Sequence, residues 1–332
     1  MGNLINLPNI TSDAMLNETA STATKKADAG VFNVKNYLNV RLDEEAGETQ
    51  KTLTIRLLPM DLETGSPFVK VHFHNVKVPH EVSKSGYKSY ICLSKNRDID
   101  HEKYGNRCPF CEINKEMYKA SMEEQDQAKK KALQLASIAN LSKEAVIVRC
   151  IERGKEEEGV KFWKFNVRAD KTDPYNQIIN LYNQRKAEGE AAGIPTNILD
   201  IYNGVDLTVK ITEGNAAPTI TDGRFSTPLS KDENQMKEWI YDSKKWQDVF
   251  TPKPYEYLSI ISQMKTPWYD KSNDMWVDKD EYDRENEARK AVAENDVRAA
   301  EAAITGGTVQ TQTKVKDDFM ASLTINENDL PQ

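Results

Sequence analysis

The stretch EAVIVRCIERGKEEEGVKFWKFNVR, residues 144–168, carries the strongest fold signal in the chain. Its two flanks, 144–152 and 160–168, are rich in β-branched and aromatic residues, which favour strands. The segment between them is short and charged and ends in Gly159, as is typical of a hairpin turn. The stretch therefore predicts two antiparallel strands joined by a tight connection.

Similar strand patterns recur on both sides of this hairpin. They are LTIRLLP (53–59), PFVKVHFHNVKV (67–78), YKSYICL (87–93) and VDLTVKIT (205–212). Helix-forming segments separate or follow them, at 112–139 with room for one break, 173–192, 231–247 and 254–264. Five or more strands with inserted helices predict an α+β chain with a mainly β core, organised as an OB-fold-like barrel with helical elaborations.

Changes in composition divide the chain into four predicted parts. Residues 1–40 read as an N-terminal arm, and 41–277 as the core, which includes a metal module at 72–111. Residues 278–304 are rich in Ala and charge, which predicts a solvated helix. Residues 305–332 predict a linker and an acidic tail, for which low hydrophobicity makes disorder the expectation.

The distribution of charge is uneven along the chain. The net charge is −7, yet residues 51–171 contain 23 Lys and Arg against 17 Asp and Glu, an excess of +6. The remainder of the chain therefore carries −13. A basic middle inside an acidic protein indicates a polyanionic partner together with an acidic tail.

Cysteine spacing points to a metal. Cys108 and Cys111 form a CxxC knuckle, and Cys92 precedes them by fifteen intervening residues. Two thiolates at this spacing can bind one tetrahedral ion through a tight turn, and a third thiolate plus one imidazole would complete a Cys3His site. A redox CxxC would need a βαβ context, which this chain lacks. We therefore predict one structural zinc, with Cys150 in the core.

The histidine that completes this site is less closely specified by sequence. His80 lies before a Lys-Ser-Gly turn that leads to Cys92, so the two are predicted on the arms of one hairpin. His101, in the loop between the cysteines, is the alternative. His72 and His74 share one face of a strand by their period-two spacing, and that face is predicted to be solvated.

The chain resembles a known protein family. His80, Cys92 and Cys108-Pro-Phe-Cys111 resemble the His-Cys-Cys-Cys zinc site of the T-even bacteriophage single-stranded-DNA-binding, or helix-destabilising, proteins. LTIRLLP, AVIVRC followed by VKFWKFNVR, GVDLTVKIT and DDFM (317–320) resemble further elements in the same order. The resemblance implies DNA replication, recombination and repair in a bacteriophage. It also implies self-association on DNA and recruitment of replication proteins by the acidic tail.

Sequence-tolerant binding of single strands needs cations for phosphates and flat rings for bases. The cations predicted to contact DNA are Arg56, Lys70, Lys88, Arg149, Lys164 and Arg168. The rings predicted to stack on bases are Tyr90, Phe162, Trp163 and Phe165. Aromatic residues are favoured in strands anyway, so the alternative is that these rings fill the core.

An enzyme and a structural zinc protein are the two alternatives to a DNA-binding protein. No HExxH run, Walker lysine motif or GxSxG occurs, so no enzyme is predicted. The remaining alternative is a structural zinc protein that binds RNA or other proteins, such as a virion component. No run of about 18 apolar residues and no signal peptide is present, so the expected location is the cytoplasm of the bacterial host, without membrane association.

Overall fold

The computed structural model describes residues 36–305 except 44, 61, 63–64, 194–196, 216 and 224. Most of the predicted N-terminal arm and nearly all of the predicted linker and acidic tail therefore lie outside the described residues.

The strands form one large antiparallel sheet and one small sheet. The strands are β1 (Gln50–Leu58), β2 (Phe68–Lys77), β3 (Tyr87–Ile91), β4 (Lys143–Glu152), β5 (Lys161–Asn166), β6 (Leu207–Thr212), β7 (Thr219–Asp222), β8 (Pro267–Asp270) and β9 (Met275–Asp278). The large sheet has the order β3-β2-β4-β1-β6-β7, with β5 also paired to β4, and β8 pairs with β9. The antiparallel sheet confirms the mixed α+β class and the predicted 144–168 hairpin.

Strand β4 is the centre of the large sheet because it has partners on both edges. Along one edge its first part pairs with β2 and its last part, from Arg149 to Glu152, pairs with β1. Along the other edge it pairs with β5, with Ala145 opposite Asn166. Every residue from Ala145 to Glu152 is buried, so apolar side chains occupy both faces.

Helices cover both faces of this sheet. They are α1 (His101–Tyr104), α2 (Pro109–Glu123), α3 (Gln127–Ala139), α4 (Pro174–Ala192), α5 (Glu233–Ile240), α6 (Trp246–Val249), α7 (Tyr255–Ser262) and α8 (Lys279–Thr305). Helices α5, α6 and α7 supply Trp239, Trp246 and Leu258 to a core that contains Ile147 of β4. Helix α4 supplies Tyr182 to a second core that contains Val148. Neighbouring residues of β4 thus belong to different cores, as strand alternation requires.

The last residues of the predicted arm belong to the folded core. Leu38 has no exposed surface and packs in the second core. Its backbone N–H donates to the Phe162 carbonyl at 3.0 Å, and Tyr37 forms a parallel bridge with the same residue of β5. The core therefore begins before residue 41, because these residues cover an edge of β5 that β4 does not pair with.

The chain divides into two compact units, Met1–Val277 and Asp278–Gln332. Within the second unit, α8 spans the residues for which a charged helix was predicted. Its side chains form i,i+4 ion pairs such as Lys279 with Asp283. Among the helices that the structure describes, none combines the length and apolar character needed to cross a bilayer.

Candidate functional site

Four side chains that could hold a metal ion converge beside the β2–β3 hairpin. They are His74, Cys92, Cys108 and Cys111, and their ligand atoms all lie within 4.8 Å of one another. The His74 Nε2 atom lies 3.3 Å from the Cys108 sulfur and 3.5 Å from the Cys111 sulfur. The Cys92 and Cys111 sulfurs are 3.5 Å apart. Three of the four residues are buried, and Cys111 is partly buried.

The cysteine knuckle is built on the start of α2. Cys108 is the N-cap residue, Pro109 follows at the first helical position, and Cys111 lies in the first turn. Proline suits this position because its fixed φ is helical and the missing N–H needs no partner there. The positive end of the helix dipole favours negative charge at this place. Local sequence therefore places both sulfurs at the start of α2.

The register of the β2–β3 hairpin brings His74 to the sulfurs. His74 pairs with Tyr90, and the Cys92 N–H donates to the His72 carbonyl at 2.9 Å. Paired residues in an antiparallel sheet direct their side chains to the same face. His74 therefore shares a face with Cys92, two positions further along.

The prediction that His80 supplies the fourth ligand is wrong. The hairpin closes where the Val78 N–H donates to the Gly86 carbonyl, so His80 lies in the exposed turn, well before Cys92 pairs back with β2. The alternative, His101, is also wrong, because the imidazole that lies within 4.8 Å of the three sulfurs is that of His74, whereas the His101 ring bonds to the Gly105 carbonyl at 3.1 Å. The face of β2 predicted to be solvated holds the fully buried His74.

Hydrogen bonds around the cluster orient its ligand atoms. The His74 Nδ1 atom lies 2.9 Å from the Asn140 carbonyl at the end of α3, so Nδ1 carries the proton and Nε2 is left free for a metal. The Ser94 hydroxyl donates to the Cys111 sulfur at 3.4 Å. Buried Asn96 donates to the carbonyls of His72 and Cys92 and holds the two strands together.

The cluster's electrostatics favour a bound cation. Burial disfavours a charged imidazole, but hydrogen bonds with the Cys111 and Cys92 sulfurs outweigh it and raise the pKa of His74 to about 9. Hydrogen bonds from Cys108 and Cys111 lower the pKa of Cys92. The pKa of Cys108 is raised, because of its hydrogen bonds with Cys111 and Cys92 and because of its burial. A dication would resolve this competition, because it favours the ionised form of each thiol.

The predicted stacking rings are in the core. Phe162 and Trp163 are 0% and 1% exposed, and Tyr90 and Phe165 are also buried. Trp163 packs edge-on against Phe165, and Tyr90 stacks on Phe110 beside the metal cluster. The prediction that these rings contact bases is wrong, because all four are buried in the two cores between the sheet and the helices that pack on it.

Two of the predicted phosphate contacts, Arg56 and Arg149, are also wrong, because both side chains are buried. Arg56 pairs with Asp206 at 3.1 Å and donates to two backbone carbonyls. Arg149 donates to four carbonyls, including those of Trp239 and Asp242. Both guanidinium groups fasten later segments of the chain to the sheet.

Lys70 and Arg168 have intramolecular partners of their own. The Lys70 ammonium lies 5.6 Å from the centroid of the Tyr175 ring. Arg168 pairs with Asp170 at 2.9 Å, and both side chains are exposed. The structure does not bring either residue to the surface formed by the remaining predicted cations.

Of the remaining predicted cations, Lys88 lies in β3, an edge strand of the large sheet, and Lys164 lies in β5, from which its ammonium group reaches Ser89 of β3. Two cations that the sequence did not single out accompany them, and we call the set Arg41, Lys88, Lys164 and Lys253 the basic edge. None of the four has an ion pair with a carboxylate in the described part of the chain. Tyr87, in the same strand, is 49% exposed.

The members of the basic edge influence one another. Lys164 donates to the Ser89 hydroxyl at 3.1 Å, and burial together with the charge of Arg41 lowers its pKa to about 8. Burial and the charge of Lys88 lower the pKa of Lys253. Four neighbouring positive charges, none of which pairs with a carboxylate of residues that the structure describes, make a surface that would attract an anionic chain.

Arg41 and Lys253 were missed because no local pattern marks them. Arg41 follows a segment that reads as an arm, and Lys253 stands between two prolines in a connecting loop. Both lie near Phe250, which follows α6 and contacts Phe73 of β2 and Tyr37 of the segment before Arg41. These segments are far apart in the sequence, so a search for local patterns does not connect them.

No protein-family model matches this chain, and no curated protein matches it either.

Proposed function

We propose that this protein binds single-stranded DNA with little sequence preference and acts in bacteriophage DNA replication, recombination and repair. The observation that carries the proposal is the basic edge, four cations without carboxylate partners within the described residues. Cations of this kind bind phosphates and release counterions, which is the main source of sequence-independent affinity. Exposed Tyr87 beside Lys88 adds a ring for base stacking.

The proposal includes one structural zinc ion. With Zn–S bonds of about 2.3 Å and a Zn–N bond of about 2.0 Å, a regular tetrahedron places sulfur and nitrogen about 3.5 Å apart. The two sulfur–nitrogen distances around His74, 3.3 and 3.5 Å, fit this value. Three thiolates and one imidazole satisfy four-coordinate zinc without a water ligand, which is typical of a structural site.

An OB-like arrangement of the core is part of the same proposal. It is supported by β1 and β4, each of which changes partner along its length. Strand β1 pairs with β6 over Gln50 to Ile55 and with β4 over Ile55 to Leu58. A strand that pairs with different neighbours along its length is staggered relative to each of them. Such a stagger is needed for a small antiparallel sheet to close into a barrel.

The binding proposal predicts strongly salt-dependent affinity for a labelled oligo(dT). Four phosphate contacts correspond to a slope of about −3 in a plot of log association constant against log salt concentration. Replacing both Lys88 and Lys253 with alanine should reduce that slope by about 1.4 units and weaken binding roughly tenfold at moderate salt. Fluorescence anisotropy at several salt concentrations measures both quantities.

The matched control is Lys210→Ala, which removes an exposed lysine from β6, near the opposite edge of the sheet. This variant should bind oligo(dT) as the wild type does. A flat salt response, tighter binding to duplex DNA, or equal losses in the control and the double variant would contradict the proposal. Tighter binding to oligo(rU) would favour RNA as the ligand.

The acidic tail is proposed to recruit replication proteins. Residues 317–332 contain Asp317, Asp318, Glu327 and Asp329, several apolar side chains and no Lys or Arg. Such a segment offers charge and apolar anchors to a basic partner surface. Pull-down of the phage replication proteins by the full chain, and its loss on truncation after Gly307, is the expected result. Equal capture by both forms would contradict the recruiting role.

A further inference from the structure

The β8–β9 hairpin exposes several large side chains. Trp268 and Tyr269 of β8 are 44% and 39% exposed, and Met275 of β9 is 50% exposed. Single exposed apolar residues are normal, but adjacent exposed aromatic rings on a short hairpin point to a binding surface. Trp268 and Tyr269 are consecutive in a strand, so they face opposite sides of the hairpin.

On one side of the hairpin, rings form a continuous row that ends at the basic edge. Tyr269 and Trp276 have ring centroids 5.1 Å apart, and Trp276 lies 4.9 Å from Tyr257, which in turn lies 6.0 Å from Tyr90. The Lys253 ammonium lies 5.6 Å from the Tyr257 centroid. Cations that suit phosphates therefore stand at one end of the row, and exposed Tyr269 stands at the other.

The outer rings of this row are held in place before any ligand arrives. The Tyr269 hydroxyl donates to the Asp274 carboxylate in the β8–β9 turn. Trp276 is partly buried against the core and contacts Tyr257 edge-on. Rings that are already ordered lose little conformational entropy on binding, which favours a stacking role.

We propose that Tyr269 and Trp276 form a stacking site for a nucleobase of a single strand whose phosphates lie on the basic edge. The inference rests on the proposed function and adds a base-binding site to it. A planar base fits because every base has a π-face that stacks on an aromatic ring, whatever the sequence. Lys88 and Lys253, which have no carboxylate partner in the described ranges, supply the complementary charge for the backbone beside the row.

The tryptophans make this site directly observable. Of the five in the chain, Trp163, Trp239 and Trp246 are at most 4% exposed, which leaves Trp268 and Trp276 on the hairpin to respond to a ligand. Saturating oligo(dT) should quench the intrinsic fluorescence of the wild type. Trp276→Phe should lose most of that quenching and keep an affinity within about threefold, since it retains a ring. Trp268→Phe, on the opposite face, is the control and should keep the quenching.

Affinity provides the second readout. Tyr269→Leu should weaken oligo(dT) binding about 5- to 100-fold, the loss expected when one stacking ring is removed, whereas Tyr269→Trp should restore it. Thermal unfolding of each variant should match the wild type because Tyr269 is substantially exposed.

The outcomes separate this site from the general function. If the wild type does not bind oligo(dT), the proposed function itself fails. If the wild type binds, but Tyr269→Leu binds equally well and Trp276→Phe keeps the full quenching, the stacking site is overturned while the basic edge stands. If Tyr269→Leu proves unstable, the contrast in quenching between Trp276→Phe and Trp268→Phe decides.

Discussion

We expect that replacing Cys108 with serine removes the proposed zinc ion and lowers the free energy of unfolding by at least about 3 kcal/mol, since a structural zinc contributes its binding energy to folding. Cys108 is buried at the start of α2 and contacts His74, so its loss opens the cluster at the point where helix and hairpin meet. Metal analysis of protein purified without chelator, together with urea denaturation, measures both effects. The wild type should contain one zinc per chain.

Substitutions of His74 and His80 provide a test and its control for this prediction. His74→Ala should release the metal and destabilise the protein as Cys108→Ser does. His80→Ala changes an exposed turn residue and should leave zinc content unchanged and stability within about 0.5 kcal/mol. Absence of zinc from the wild type, or loss of zinc from His80→Ala in place of His74→Ala, would show that the ligand set is different.

Replacing Arg149 with methionine should destabilise the fold by about 3–5 kcal/mol, because buried polar partners would be left without a donor. The guanidinium donates to the Trp239 carbonyl at 2.7 Å, the Asp242 carbonyl at 3.0 Å and the Ile240 carbonyl at 3.1 Å. It also reaches the Pro59 carbonyl at 3.4 Å. This one side chain ties the end of α5 to the centre of the sheet.

Urea denaturation of Arg149→Met tests this structural role, and Arg168→Met is its control. Arg168 and its partner Asp170 are exposed, so their ion pair contributes little and the control should stay within about 0.5 kcal/mol of the wild type. If Arg149→Met keeps wild-type stability but loses oligo(dT) binding, Arg149 would be a phosphate contact, as the sequence suggested, and the structural role would be wrong.

Patterns of neighbouring residues were enough to predict the central strands and the pair of cysteines. The strands at 144–152 and 160–168 follow from β-branched and aromatic residues on both sides of a charged, glycine-containing turn. Cys108 and Cys111 lie close together because only two residues separate them at the start of α2. Both features depend on residues only a few positions apart, which is the range over which sequence patterns act.

The pairing of β2 with β3 determines which histidine lies beside the three cysteines. His74 and His80 lie on the same stretch of chain, and spacing alone does not show where the hairpin turns. The register that pairs His74 with Tyr90 places its ring on the face shared with Cys92. The period-two spacing of His72 and His74, combined with the position of the Lys-Ser-Gly turn, was the sequence signal that could have identified this face.

Tertiary packing alone decided which cations and rings are accessible. Trp163 and Arg149 have the residue types that bind nucleic acid, but α4 and α5 fold over the two faces of the sheet and bury them. The basic edge joins residues 41, 88, 164 and 253, which no local pattern connects. The sequence determined the strands and the closely spaced cysteines of the candidate metal site because these are local. The proposed binding surface depends on contacts between distant segments, which only the folded chain specifies.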